Sequence, residues 1–336
     1  MTRRFANILA VLFVTTLALP VTAQEKPKET KQYVLNLGTV APPNTPWGKQ
    51  LKSMKKRIEK DSGGRIKVKL FMGTAGGEVS IVRQTKRGEL QAAGVSTGAV
   101  ASIAPEMNVF ELPYLFENGA EADRIIDNHL FEPVKELLGS YGFELYLFAE
   151  NGFRNFATKG KCITKPSDLA DIKMRSQESW VHEETYRALG GNPVRIAVPE
   201  VLSSLQNNNV QGFDNTPLFG FAASWYQAID HWTLSDHIYQ PAVIVYNKQW
   251  FDALPDDLQK VLLADRQKET DYGRDLVRKL HPKLVKNLEA AKITVCKITP
   301  AQKAEFANKT KSVHEMFRKR AGKKGAALLD IVEKNR

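Results

Sequence analysis

IKMRSQESWVHEETYRALGGNPVRIAVPEVLSSLQNNNVQGFDNTP, residues 172–217, reads as strand, helix, turn, strand, helix, strand. Side chains alternate across a strand, so Lys173 and Arg175 lie opposite Ile172 and Met174. Glu178 to Leu189 has helical spacing, with Val181, Thr185, Ala188 and Leu189 on one side, and Gly190 and Gly191 stop that helix. Val194, Ile196 and Val198 alternate with Arg195 and Ala197 as a second strand; Pro199 then opens a helix that ends in Asn207, Asn208 and Asn209. Val210 to Phe213 returns as a third strand. A β-α-β-α-β unit of this kind brings Arg175 and Asn215 to strand ends, where open α/β sheets place ligands.

Four blocks of this stretch, Lys-Met-Arg ending at Arg175, Ala188 to Pro193, Pro199 to Gln206 and Gly212 to Pro217, resemble in order and spacing the signature of TRAP-transporter solute receptors of the DctP type. The resemblance extends over nearly all of the chain after its first 23 residues. It implies a two-domain α/β periplasmic-binding-protein (Venus flytrap) fold, with a cleft between the domains and a long domain-spanning helix. It also implies binding without chemistry or cofactor, delivery of an organic acid to a TRAP permease with a small and a large membrane subunit, and in one branch of the family a repeat-protein partner. Arg175 matches the arginine of the family's Lys-x-Arg position, whose planar fork of donors suits a carboxylate. Asn215 matches an asparagine that supports the same carboxylate, and Arg154 matches a second basic position. Val198 stands where many members carry an aromatic residue, and Trp180 where a small one is common, so the pocket is reshaped. A monocarboxylate with an apolar body fits both Arg175 and Val198.

The chain has 336 residues, 43% of them apolar and 25% charged, which suits a soluble globular protein with room for two cores. Arg3 and Arg4 precede an apolar run from Ile8 to Leu19, and Val21, Thr22 and Ala23 form a signal-peptidase site. Cleavage after Ala23 and a periplasmic location are expected, without a lipid anchor, since no cysteine follows the run. The net charge of +11 falls to +9 with Arg3 and Arg4 removed, a sign that favours anionic ligands or surfaces. No basic stretch is interleaved with stacking aromatics, so a nucleic-acid partner is not expected. None of the six histidines sits in an H-E-x-x-H or cysteine-paired pattern, so no metal site is expected. Cys162 and Cys296 permit one disulfide, and their separation leaves the pairing open.

From the N-terminal side, Thr45 caps a helix with Pro46 at its first position, and the adjoining Trp47 either walls the site or packs beneath the helix. A cluster of Gly73, Gly76 and Gly77 leads to Glu78, a candidate cleft residue; it lacks the Lys-Ser/Thr ending of a phosphate loop. Gly94 to Gly98 spells G-x-S-x-G between a strand and a helix, the context of a nucleophile elbow. A serine hydrolase built on Ser96 would draw on His231 or His237 with Asp230 or Asp236. The resemblance instead makes Ser96 and Thr97 hydrogen-bond donors beside a bound solute. A ligand sensor for a membrane signalling protein is the third reading.

Phe110 to Phe116 reads as packing, and Ala120 to Leu138 as one helix. Gly152 and Tyr239 mark the expected hinges, which divide the chain into domain I, 24–151 with 239–279, and domain II, 152–238 with 280–336. Trp225 and Tyr226 either close a core or reach the cleft. Separate strands are expected over 231–238 and 243–246, and one very long helix over 254–291, kinked at Pro282.

Overall fold

The computed structural model describes residues 31–336; the leader and the cleavage after Ala23 that the sequence leads one to expect lie outside the described residues. Strand β1 (Tyr33–Thr39), helix α1 (Pro46–Asp61), β2 (Ile66–Met72), α2 (Glu78–Lys86) and β3 (Ala92–Ser96) alternate along the first part of the chain. Thr45 Oγ1 accepts the Gly48 N–H at 3.1 Å, satisfying one of the free donors that begin a helix. After α3 (Thr97–Val100) and a 3-10 turn over Pro105–Glu111, the single helix expected over 120–138 is α4 (Gly119–Ile125), a π turn (Ile126–Leu130) and α5 (Phe131–Ser140). The wider turn keeps Ile125, Ile126, Leu130 and Val134 all buried.

Strand β4 (Phe143–Thr158) leads into the opening stretch, which forms β5 (Lys173–Ser176), α6 (Trp180–Ala188), β6 (Asn192–Arg195), α7 (Val201–Gln206) and β7 (Gly212–Asn215). Then come α8 (Pro217–Ala222), β8 (His231–Asn247), α9 (Lys248–Asp252), α10 (Asp256–Leu263), α11 (Arg266–Ala290), β9 (Thr294–Lys297), α12 (Pro300–Arg320) and α13 (Gly322–Lys334). Among the described residues, the sheet runs β2-β1-β3-β8-β4-β7-β5-β6, with β9 beside β8.

Two halves share this sheet. In one, β1 pairs in parallel with β2 and β3; in the other, β5 pairs in parallel with β6 and β7, the β-α-β-α-β unit read from sequence. The long antiparallel pair β4 and β8 joins them, from Phe143↔Asn247 to Thr158↔His231. The register shifts between Glu150 and Gly152, where Gly152 has φ 103°, and Pro241 pairs with Glu150 beside that irregularity. A bulge is where a strand tolerates a proline, and so the two strands expected over 231–246 are one.

The expected long helix also differs: Asp265 at φ 56° separates α10 from α11. Side chains capture the carbonyls that would continue α10, with Arg57 on Val261 O, Tyr246 on Leu262 O and Tyr146 on Ala264 O. Helix α11 contains Pro282 and packs against α1 of the first half and against α8 and β9 of the second. Cys162 and Cys296 are disulfide-bonded, with Cα atoms 6.2 Å apart, since β9 pairs with β8 beside the segment that follows β4. The C-terminal helix α13, expected with the second domain, buries Leu328, Leu329 and Val332 in the same cluster as Phe110, Ile125 and Phe148. No helix among the described residues is long and apolar enough to cross a membrane.

Candidate functional site

A cavity of about 610 Å³, including its mouth, opens where the two halves meet. Seven of the eight residues singled out by sequence line it: Trp47, Glu78, Ser96, Arg154, Arg175, Val198 and Asn215. Thr97 does not, because its buried hydroxyl turns away to donate to Glu111 Oε1 at 2.8 Å. Trp47 satisfies both of its readings. Its ring belongs to the core under α1 and also faces the cavity, and its Nε1–H donates to Glu150 O at 3.1 Å.

Arg175 ends near the C-terminal edge of β5 with only 2% of its surface exposed. Its Nε donates to Ile196 O at 3.0 Å, and the guanidinium lies 5.2 Å from the Trp225 ring centroid, so Trp225 closes the core and supports the arginine from beneath. Among the described residues no carboxylate lies within ion-pair distance of Arg175, and its two terminal nitrogens make no hydrogen bond. Burial, helped by the like charge of Arg154, pushes its pKa down to about 10. It remains a cation at neutral pH, held in a buried wall with no carboxylate in ion-pair range among the described residues. Asn215 accepts the Thr216 N–H on Oδ1 at 2.8 Å, which leaves its amide N–H groups for the cavity.

Arg154 is also buried, at 1% exposure, but four of its five N–H donors are taken. Nε donates to Asp214 Oδ2 at 2.6 Å, Nη1 to Gln240 Oε1 at 2.8 Å and to Gln177 Oε1 at 3.3 Å, and Nη2 to the Asp214 carbonyl. Burial alone would raise the Asp214 carboxyl, yet Arg154, His182 and His237 together hold it well below the usual range. Glu78 behaves in the opposite way: burial raises its carboxyl despite hydrogen bonds at 2.8 Å from both the N–H and the hydroxyl of Ser96.

The family model for bacterial extracellular solute-binding proteins, family 7 (DctP), matches residues 37–320. The chain belongs to this family. As a DctP-family protein it is 31% identical to a solute-binding protein of Verminephrobacter eiseniae over 298 residues, 88% of this chain and 87% of that one. It is 26% identical to the C4-dicarboxylate-binding periplasmic protein DctP of Rhodobacter capsulatus, with 96% of each chain covered. Among solved structures it superposes on the sugar-acid-binding protein of Advenella mimigardefordensis in complex with galactonate with a TM-score of 0.86 and 26% identity, covering 92% of this chain and 100% of that one.

In this DctP-family chain the G-x-S-x-G stretch is not an elbow. Ser96 donates to Glu78, while His237 Nδ1 is paired with Ser235 and His231 with Asp230. Its glycines serve close packing instead: a Cβ on Gly94 would sit 3.1 Å from the Trp47 ring, and one on Gly98 2.7 Å from Glu111 Oε2. The serine-hydrolase reading is therefore not supported. Three residues of the site escaped the sequence reading. Gln177 and Gln240 line the cavity, and Glu111, in a segment read as packing, lies fully buried beneath them. A signal existed for Glu111, since a carboxylate between Phe110 and Leu112 in an apolar run must either pair or be expelled. Trp180, noted as a departure, lies under Arg320 and outside this cavity.

Proposed function

We propose that this DctP-family protein is a periplasmic solute receptor that binds an organic monocarboxylate and hands it to a TRAP-type permease, without catalysing a reaction on it. The observation that carries this reading is the unpaired guanidinium of Arg175 in a buried cavity wall. A charged hydrogen bond to a carboxylate there is worth about 1.5–3 kcal/mol, and the amide of Asn215 adds a second donor. A single carboxylate is favoured because Arg154 is already paired with Asp214, and Glu78 would repel a second one. Val40, Leu218, Phe219 and Ala222 supply an apolar wall for the body of the ligand, beside Val198. On the other side the polar lining is Glu78, held by the N–H and hydroxyl of Ser96, whose donors are thereby used within the wall.

The two expected domains would close on the solute by bending at Gly152 and Tyr239, except that α13, counted by sequence within domain II (280–336), would move with domain I through its core contacts. Mass spectrometry of solute released from natively purified protein tests the reading. The expected solute carries one carboxylate, and its stabilisation of the protein against heat disappears in Arg175→Ala. A neutral or cationic solute, or equal stabilisation of both proteins, overturns it.

A further inference from the structure

Beneath the cavity, Glu111 collects hydrogen bonds from both halves of the molecule. Thr97 Oγ1 and the Gly98 N–H reach Oε1 at 2.8 and 2.5 Å; Gln177 Nε2 and Gln240 Nε2 reach Oε2 at 2.8 and 2.9 Å. His182 Nε2 lies 2.5 Å from the same Oε2. With their N–H groups committed to Glu111, the two glutamines turn their amide oxygens toward Arg154 Nη1. Gln240 Nε2 also bonds Gln177 Oε1 at 2.8 Å, which closes the ring. We propose that Glu111 is a positioning residue of the solute site: paired with a doubly protonated His182, it fixes the amide orientation of Gln177 and Gln240, which occupies both donors of Arg154 Nη1 and leaves Arg175 as the cation that reads the solute. This inference rests on the solute-receptor reading of the cavity.

The surroundings favour a charged His182. Nε2 meets Glu111 Oε2 at 2.5 Å, while Nδ1 makes no hydrogen bond and lies 3.6 Å from Asp214 Oδ2, so both ring nitrogens face carboxylate oxygens, one in contact and one at longer range. A neutral imidazole has one acceptor nitrogen, which would point at an acceptor in either tautomer; the imidazolium presents a donor to each. The remaining charged and titratable neighbours follow from the packed elements. Arg154 comes from β4, Arg175 from β5, Tyr186 from α6 itself with its hydroxyl on Asp214 at 2.7 Å, and His237 from β8 at 3.4 Å from Asp214. On α12 and β6, Arg320 lies over Trp180 and Arg195 pairs with Glu183, away from the ring. Burial and Arg154 push the imidazolium toward deprotonation, but Asp214 and Glu111 outweigh them and raise its pKa above 6.5. Glu111 shifts the other way: burial raises it, and His182 with Arg154 brings it below its ordinary value. A cationic group with a raised folded-state pKa stabilises fully below its unfolded value, and that contribution fades as pH rises through the folded one. The ring of hydrogen bonds should therefore loosen on the alkaline side of pH 6.5.

Long-range proton–nitrogen correlation spectra of the ligand-free full protein, labelled at histidine nitrogens and glutamine side-chain amides, test this without any solute. The expected result is that both ring nitrogens of His182 are protonated at pH 7. The Gln177 and Gln240 amide signals should shift on raising pH with the midpoint of His182, and Glu111→Gln should lower that midpoint by at least tenfold in proton affinity. Glu111→Asp, which keeps the charge, should retain part of the shift. A neutral His182 at pH 7, or glutamine signals indifferent to its titration, overturns the proposal even where the variants do not fold, because the unsubstituted protein suffices. Neither result bears on whether the cavity takes a carboxylate, so failure here and failure of the solute reading are separable.

Discussion

Arg154 and Arg175 stand on neighbouring parts of one sheet, are almost equally buried, and face the same cavity, yet their surroundings differ in kind. Arg154 is enclosed by Asp214, Gln177 and Gln240, whereas Arg175 has one backbone carbonyl and an aromatic ring. A saturated guanidinium holds the floor together, and an unsaturated one is stored unfavourably until a ligand completes it. Under the proposed function, partners and not residue type decide which arginine serves structure and which serves recognition.

Removing the partner of the saturated arginine should give the largest effect. Asp214→Ala strands Arg154 and deprives His182, His237 and Tyr186 of a shared acceptor, and it should cost about 3–5 kcal/mol in urea unfolding. Arg175→Ala should invert the pattern. Solute affinity falls about ten- to a hundredfold, as expected for the loss of about 1.5–3 kcal/mol, while the unfolding midpoint of the ligand-free protein holds or rises, since burial disfavours the charged form. A loss of stability in Arg175→Ala as large as in Asp214→Ala would erase the distinction between the two sites.

Acid should act on the floor first. The Asp214 carboxyl is held far below 3.8, so its contribution is present above that value and is lost as pH falls through the lower folded-state pKa. Asp214→Asn should flatten this acid limb of a melting-temperature profile. The smallest expected effect belongs to Glu78. Its carboxyl is raised by burial, so the ionised form costs stability at neutral pH, and Glu78→Gln should stabilise the ligand-free protein by no more than about 1 kcal/mol. The same substitution should admit dicarboxylates better, which competition binding with succinate would register.

The sequence reading reached the wall of the site and stopped short of its floor. Arg175 and Asn215 could be placed because a local β-α-β-α-β pattern puts them at strand ends, and Thr45 and Pro46 were equally local signals of a helix start. His182 offered none: it lies between Val181 and Thr185 on the buried side of α6, and its partner Glu111 is 71 residues away. Gln177 and Gln240 are polar residues of ordinary sequence context, and only folding shows that they share one acceptor. The break between α10 and α11 was hidden for a similar reason. The pattern of Leu254 to Ala291 is helical throughout, and the interruption is stabilised by Arg57, Tyr146 and Tyr246 from elsewhere in the chain.

The position of α13 bears on the timing of folding. Leu328, Leu329 and Val332 complete a core whose other members begin at Ile81, so that core cannot close before α13 has been made. A nascent chain of this layout holds one of its cores open, with the apolar faces of β3, α4 and α5 uncovered, until α13 arrives.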